Sequence, residues 1–370
     1  MRGRQVIGID ARYGLKSPRR GIGEYVYQLL QHLAKMPRPY DIHLFGDQTA
    51  DLDTLKGFQS VFKTTILTAA NFFIWEQWAW SRSHKEVSVF HGTANIGPIW
   101  EHRPLILTVH DVIEWHRGKD FGASIPFRHH LSRLYRMNAL KHLAKKSSLI
   151  FTVSEHSASD IHQILGVGRD KMMITPLAPK YRTESVNWPK TPFVLVLGAM
   201  DPRKNLHTVI DAAALLAPHQ IPFKVVGIEK PHLLALTKKS EIPDNVELSG
   251  LIEDRKLYQL YKAAALFVYP SLYEGFGLPV LEAMAMGCPV ITGTNSALPE
   301  VCGEAALFVD PLDASHLADA ILKVMKNPAK QKELAQKGQQ RSRLFNWEET
   351  AALTDEGYRQ VLHSLGKRGH

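Results

Sequence analysis

Cysteine is nearly absent: Cys288 and Cys302 are the only two in 370 residues. Two are too few for a disulfide framework, and they lack the clustered spacing of a zinc site, so a reducing compartment is expected. Long apolar runs are missing as well. No window approaches the roughly 20 consecutive apolar residues that cross a bilayer, which leaves only peripheral membrane contact. At the amino terminus the apolar run Val6-Ile7-Gly8-Ile9 is cut by Asp10 and Arg12. That argues against a signal peptide and for a mature, cytoplasmic chain beginning here. Short repeats and low-complexity tracts are also lacking. With 45% hydrophobic and 22% charged residues, the composition excludes a disordered, fibrous or collagen-like polymer.

Acidic residues are in deficit, 36 against 45 basic ones, for a formal charge of +9. Such a chain attracts polyanions, anionic lipid or phosphorylated small molecules, and charge alone does not choose among them. The length favours two domains over a single core. The first half alternates apolar strands with helices. Strands are expected at Val6–Asp10, Ile42–Phe45, Val87–Phe90, Leu105–Val109 and Leu149–Val153, with an amphipathic helix over Tyr25–Ala34. Prolines and mixed polar residues from Leu177 to Pro192 interrupt the pattern, which places a linker there and domains at 1–183 and 184–345. The pattern then restarts: strands at Phe193–Gly198, Phe223–Gly227, Val246–Gly250, Leu266–Pro270, Pro289–Thr292 and Ala306–Val309, helices at Leu206–Leu216, 314–326, 330–343 and from Trp347 to Leu365. Continuous apolar strands alternating with helices imply doubly wound parallel sheets, with ligand sites at the carboxyl ends of strands.

The densest chemical signal lies between Tyr273 and Val290. Gly275 and Gly277 free the backbone for unusual torsions and close ligand approach, and Pro279 suits the first turn of a helix. The amides and dipole of that helix start favour phosphate oxygens. Glu274 lies in the loop and Glu282 about one turn into the helix. Two carboxylates at the ends of an anion site suit a ligand with hydroxyls at both ends and phosphates between, as in a sugar nucleotide. The spacing alone leaves open that the glutamates serve only helix capping.

Glu274 and Glu282, with the glycines between them, resemble the E-x7-E signature of the retaining glycosyltransferases of family 4. Four further segments recur in the expected order. Arg20-Gly21-Ile22-Gly23-Glu24-Tyr25 resembles the family loop whose amide approaches the donor diphosphate, here at Gly21; it does not match G-x-G-x-x-G, which needs glycine at Val26. Arg203 and Lys204 resemble the cations that stabilise a departing diphosphate, although Ala199 stands where many members carry arginine. His110, after the strand ending at Val109, matches the family histidine near the transferred sugar; a histidine there also serves purely structural ends. Ser249 to Ala264 resembles the strand, loop and helix that border the nucleotide base, with the amide of Ile252 as the expected contact.

Looser likenesses follow. His91 to Asn95 could frame the acceptor, and Ser154 to Ser157 resembles the family's serine-rich strand-to-helix junction. The run Phe72-Phe73-Ile74-Trp75-Glu76-Gln77-Trp78-Ala79-Trp80 resembles a Trp-Glu-Gln stretch of mannosyltransferase-like members, while its aromatics also read as a core-facing helix. Residues 128–146 hold six Lys or Arg, three His and no acid, which suits either an anionic membrane surface or a solvated helix face. Nucleic-acid binding is disfavoured, since no recognised module accompanies the charge.

The resemblance implies the GT-B fold: two Rossmann-like α/β domains facing each other across a deep cleft, with residues 346–370 forming a helix that returns to the first domain. It implies transfer of a hexose, mannose from GDP-mannose above others, to a saccharide or lipid-linked acceptor in glycan synthesis. No metal or cofactor is expected beyond the nucleotide-sugar donor. Glu274 is expected on sugar hydroxyls and Glu282 on the ribose. Arg203 and Lys204 would hold the diphosphate, and the backbone of Gly21 and of Gly275, Phe276, Gly277 and Leu278 the phosphate oxygens. His110 would meet the reacting sugar, and cleft closure would exclude water. The alternatives are a UDP-sugar donor, another GT-B enzyme such as a phosphorylase or epimerase, and a non-catalytic subunit of the same fold.

Overall fold

The computed structural model describes residues 4–82, 85–116, 127–186 and 188–368, and these divide into two compact units. Of the described residues, the first holds the chain up to Trp115, the stretch from Phe127 to Leu177, and Trp347 onward; the second holds His116 and the chain from Ala178 to Asn346.

The first unit is built on strands β1 (Val6–Asp10), β2 (Asp41–Asp47), β3 (Lys63–Leu67), β4 (Val89–Gly92), β5 (Leu105–Thr108), β6 (Leu149–Thr152) and β7 (Met172–Ile174). Their order is β3-β2-β1-β4-β5-β6-β7, and every pairing is parallel. The second unit contains β8 (Thr191–Leu197), β9 (Phe223–Val226), β10 (Val246–Ser249), β11 (Ala264–Tyr269), β12 (Val290–Gly293) and β13 (Leu307–Val309). Their order is β10-β9-β8-β11-β12-β13, again all parallel. In both sheets the order reverses beside the first strand, between β1 and β4 and between β8 and β11. Loops at such a reversal diverge and leave a crevice at the carboxyl ends of the strands, where ligands of α/β sheets bind.

The second sheet is covered on both faces. Val194 and Val196 of β8 enter one core with the helices Leu206–Leu216 and Ala314–Met325. Phe193 and Leu195 enter the other with the helices Asp254–Ala263 and Leu278–Ala285. Alternate side chains on opposite faces, all apolar, are what a strand buried on both sides requires.

Three sequence expectations are corrected. The helix expected from Tyr25 begins at Ile22, because Gly21 turns the chain and the next residues already form the first turn. The strand expected at Val87–Phe90 is Val89–Gly92. The boundary expected after residue 183 falls at Leu177. The intervening residues are tied into the second unit: Arg182 Nη1 donates to the Ser342 carbonyl at 2.7 Å, and the Thr183 amide to Ala285 at 3.2 Å. The final helix, Trp347–Arg368, belongs to the first unit, where Tyr358 stacks edge-on against Phe151 at 5.9 Å and its hydroxyl meets His91 Nδ1 at 2.6 Å.

Candidate active site

At the reversal in the second sheet, β8 leads through Gly198 to a short 3-10 turn, Pro202–Lys204, begun by Asp201, whose carboxylate accepts from the Arg203 amide. Asn205 follows in the left-handed region (φ 56°) and donates to the Pro270 carbonyl at 3.1 Å. From the other side, beyond β11, the Leu272 amide donates to the Arg203 carbonyl at 2.7 Å, and Ser271 Oγ lies 3.0 Å from the same oxygen. The two loops are thus joined before any charged side chain is counted.

On that frame sits Glu274, buried at 7% exposure. Its Oε1 accepts from Lys204 Nζ at 2.7 Å, Tyr269 Oη at 2.8 Å and Ser271 Oγ at 2.8 Å. Lys204 also donates to the Tyr269 hydroxyl. Oε2 faces Arg203 Nη1 at 3.7 Å, and Arg203 is itself held by Asp201 at 2.8 Å. Burial opposes ionisation of Glu274, but the Lys204 ammonium and the Arg203 guanidinium outweigh it and hold the carboxyl at about 2. Burial and the adjacent carboxylate keep Tyr269 a protonated donor.

Directly after Glu274 the chain reaches the helix Leu278–Ala285. Gly277 stands before it at φ 95°, a torsion that favours glycine, and a Cβ there would also meet Leu298 Cδ2 at 2.8 Å. No side chain caps this helix, so its first turn presents backbone rather than side-chain groups. Phe276 is buried edge-on against Phe345 at 5.6 Å, and Leu278 is half-buried. One turn on, Glu282 Oε1 accepts from Tyr258 Oη at 2.6 Å. Ile252 is half-buried in the loop before the helix that carries Tyr258.

The remaining sequence candidates lie in the first unit. Gly21 begins the helix Ile22–Leu33 at φ 52°, ψ −118° with no side-chain cap, and a Cβ there would meet nothing within 4 Å. Torsion, not space, requires glycine. Four residues on, the Tyr25 ring lies edge-on to His110 at 4.7 Å and its hydroxyl meets Thr108 Oγ1 at 2.9 Å. His110 Nε2 donates to the Thr93 carbonyl at 3.1 Å, which fixes the proton on Nε2 and leaves Nδ1 as the acceptor. Burial lowers His110 to about 4 and His91 to about 3, so both rings are neutral near neutrality.

The structure therefore brings Arg203, Lys204 and Glu274 into one cluster, puts Gly275, Phe276, Gly277 and Leu278 immediately beside it, and sets Glu282 a helical turn further, held by a different partner. Gly21 and His110 are joined to each other through Tyr25, in the other unit. Sequence reasoning missed Tyr269, Ser271 and Tyr258, which orient the two glutamates; the polar ending of an otherwise apolar strand at Tyr269 was the available signal. It also missed the buried cluster at the reversal of the first sheet, where Arg12 pairs with Asp10 at 2.6 Å and Glu76 at 2.9 Å. Among the described residues no group of three or more His, Cys, Asp or Glu is placed to hold a metal ion, and no helix is long and apolar enough to cross a membrane.

Comparison with known proteins agrees with this layout. Residues 19–178 match the family described as Glycosyltransferase Family 4, and residues 179–341 that described as Glycosyl transferases group 1. The O-antigen chain mannosyltransferase B of Escherichia coli is 27% identical over 95% of this chain and 99% of its own. The MMP alpha-(1->4)-mannosyltransferase of Mycolicibacterium hassiacum is 28% identical over 89% of this chain and 82% of its own. Among solved structures, sucrose-phosphate synthase from Thermosynechococcus elongatus superposes with a TM-score of 0.75 at 22% identity, covering 98% of this chain and all of that one. HepE of Anabaena, solved with UDP and glucose, does so at 0.68 and 18%, with the same coverage. A family 4 domain followed by a group 1 domain, each a parallel Rossmann-like sheet, makes this chain a member of the GT-B glycosyltransferases.

Proposed function

We propose that the protein transfers a hexosyl group from a nucleoside-diphosphate sugar to a hydroxyl of a saccharide or lipid-linked acceptor in cell-surface glycan synthesis. GDP-mannose is the leading donor, and the anomeric configuration is retained. The observation that carries this reading is the cluster of Lys204, Arg203 and Glu274 at the sheet reversal, beside an uncapped helix start. The mannosyltransferase names of the two curated relatives favour mannose.

Glu274 is an aimed acceptor. Three donors occupy Oε1, so Oε2 is the oxygen turned to sugar hydroxyls. An ammonium has three N–H donors, so Lys204 can keep its bond to Glu274 and take a diphosphate oxygen. Arg203 and the amides of Gly275, Phe276, Gly277 and Leu278 add further donors as negative charge grows on the leaving group. In this reading those groups carry the charge without a metal or resident cofactor. Glu282, oriented by Tyr258, is the carboxylate for the ribose hydroxyls, and the Ile252 backbone borders the base. The Gly21 amide approaches the phosphates, and neutral His110 accepts a hydrogen bond from a hydroxyl of the reacting sugar at Nδ1. The diphosphate departs on the face that the acceptor attacks, through an oxocarbenium-like transition state, and its departing oxygen takes the proton of the attacking hydroxyl. The protein works on the cytoplasmic face of the membrane, held peripherally through basic side chains of residues 128–146; side chains 128–131 lie outside the described residues.

Incubating purified protein with GDP-mannose, UDP-glucose and UDP-N-acetylglucosamine, with and without EDTA, tests the reading. The expected result is release of GDP from GDP-mannose, unaffected by EDTA, with α-mannose as the first-formed sugar product of transfer to water by proton NMR. Tight nucleotide binding with no turnover of any donor would favour a non-catalytic subunit.

A further inference from the structure

The first unit displays an exposed aromatic face to which the proposed transfer assigns no role. The segment Phe72–Ile74 continues as a π-helical turn over Trp75–Trp80, a backbone form found preferentially at functional sites. One side of the segment is fastened into the core. Glu76 pairs with Arg12, Gln77 bonds to the Gly97 carbonyl at 3.1 Å and accepts from the Ile99 amide at 2.7 Å, and Trp75 Nε1 donates to Gly46 at 3.2 Å. The other side, with Phe72, Phe73, Ile74 and Trp78, faces outward; Trp78 is 45% exposed. Trp100, 57% exposed, joins it through ring contacts with Phe73 and Trp78 at 6.2 and 6.5 Å. The fold holds these rings together in water, which marks an interaction surface more than an incidental exposure.

The rim of this face is basic. Arg82 lies over the Trp78 ring at 4.1 Å. Lys146 Nζ donates to the carbonyls of Ile99 and Glu101, on either side of Trp100. Arg136 sits next to Tyr135, whose ring meets Phe73 at 5.4 Å. The nearby carboxylates are already paired, Glu101 with Arg103 and Glu114 with Arg133 and Arg136. Tryptophan and phenylalanine bordered by Lys and Arg is the composition that settles at the headgroup level of a bilayer, the rings among the upper acyl chains and the cations against anionic lipid. A second copy of this chain would bring the same positive rim against itself.

We infer that Phe73, Trp78 and Trp100, bordered by Arg82 and Lys146, form a wedge that seats the first unit on an anionic bilayer surface. This inference rests on the peripheral attachment proposed above and moves its apolar anchor from the basic helix to the aromatic turn. The experiment is cosedimentation of the full chain with phosphatidylcholine vesicles that either contain or lack phosphatidylglycerol. It compares the wild type, Trp78→Ser/Trp100→Ser and Lys141→Glu/Lys145→Glu, with the fold of each checked by circular dichroism and the oligomeric state by light scattering. The wild type is expected to bind the anionic vesicles, and the tryptophan variant to bind them about tenfold less, because partitioning scales with the apolar area inserted. Full binding by the tryptophan variant, with loss in the lysine variant, would overturn the wedge and leave attachment through the helix standing. A wild type that binds no vesicle would overturn attachment altogether. Self-association abolished by the tryptophan changes, without vesicle binding, would make the face a contact between copies and refute the inference.

Discussion

Replacing Lys204 with methionine tests the electrostatics of the site apart from catalysis. Glu274 is held at about 2 against an ordinary value of 4.5, which corresponds to about 3 kcal/mol in favour of its ionised form. Lys204 is the larger of two charges outweighing the burial, while Tyr269, Ser271 and the more distant Arg203 stay in Lys204→Met. The variant should therefore lose about 2 kcal/mol at pH 7, short of the 3–5 kcal/mol typical when a buried pair loses one partner outright. For a unit of this size that lowers its melting temperature by about 4–8 °C. Glu274→Gln should cost less alone, and the double variant should cost clearly less than the sum of the two, by about 1 kcal/mol or more.

The pH dependence follows from the sign of the shift. The folded carboxyl ionises below its unfolded value, so its contribution is complete above about 4.5 and disappears as the pH falls through about 2. The deficit of Lys204→Met should be greatest near neutrality and shrink below pH 4.5. Calorimetry of the four proteins from pH 7 to pH 3 reads both effects. A variant that melts like wild type at pH 7, or a deficit constant over the whole range, would refute the assignment of Lys204 as the counter-ion of Glu274.

Three further outcomes are expected. Gly21→Ala places a side chain at φ 52° and should cost about 1–2 kcal/mol through backbone strain alone, since no neighbour is struck; an unchanged melting temperature of the first unit would contradict that torsion. His110 and His91, lowered by burial to about 4 and 3, keep their stabilisation above the unfolded value near 6.5 and lose it as the pH falls through those lower values. Their imidazole NMR signals should therefore not titrate above pH 5, and a rate limb near pH 6.5 that vanishes in His110→Ala would show the opposite. Tyr258→Phe removes the hydrogen bond to Glu282 and should raise the donor KM about three- to tenfold with kcat little changed; a fall in kcat at unchanged KM would place Glu282 at the reacting centre instead.

Legibility followed burial. Central strands such as β8 and β11 are apolar on both faces, and the helix Leu206–Leu216 was read to the residue, because periodicity and burial agree there. The strands missed were the edges. In β3 the sequence is Lys63-Thr64-Thr65-Ile66-Leu67 and none of it is buried; β7 has three residues, all half-buried. Neither produces a continuous apolar run. The π-helical turn was illegible for a different reason: its aromatics are divided between core and solvent, so they match no single helical face. Arg12 shows the same limit. In the sequence it merely interrupts a hydrophobic run, yet in the fold it is buried and bonded to a carboxylate 64 residues away.

The site divides along the same line. Residues that would touch a ligand, Lys204, Glu274 and Glu282, lie in loops and first turns just beyond strands, where turn chemistry leaves a local trace. Residues that aim them do not: Tyr269 ends a buried strand, Ser271 follows two positions later, and Tyr258 lies on a helix 24 residues from the glutamate it holds. Aim is nevertheless the costlier property to lose. A carboxylate with both oxygens unengaged would rotate between its donors, whereas three hydrogen bonds on one oxygen of Glu274 leave the other in a fixed direction. Those donors come from the end of β11 and from the loops after β8 and β11, so the topology itself, through the loop junction at Arg203 and Leu272, sets the direction in which the Glu274 carboxylate points.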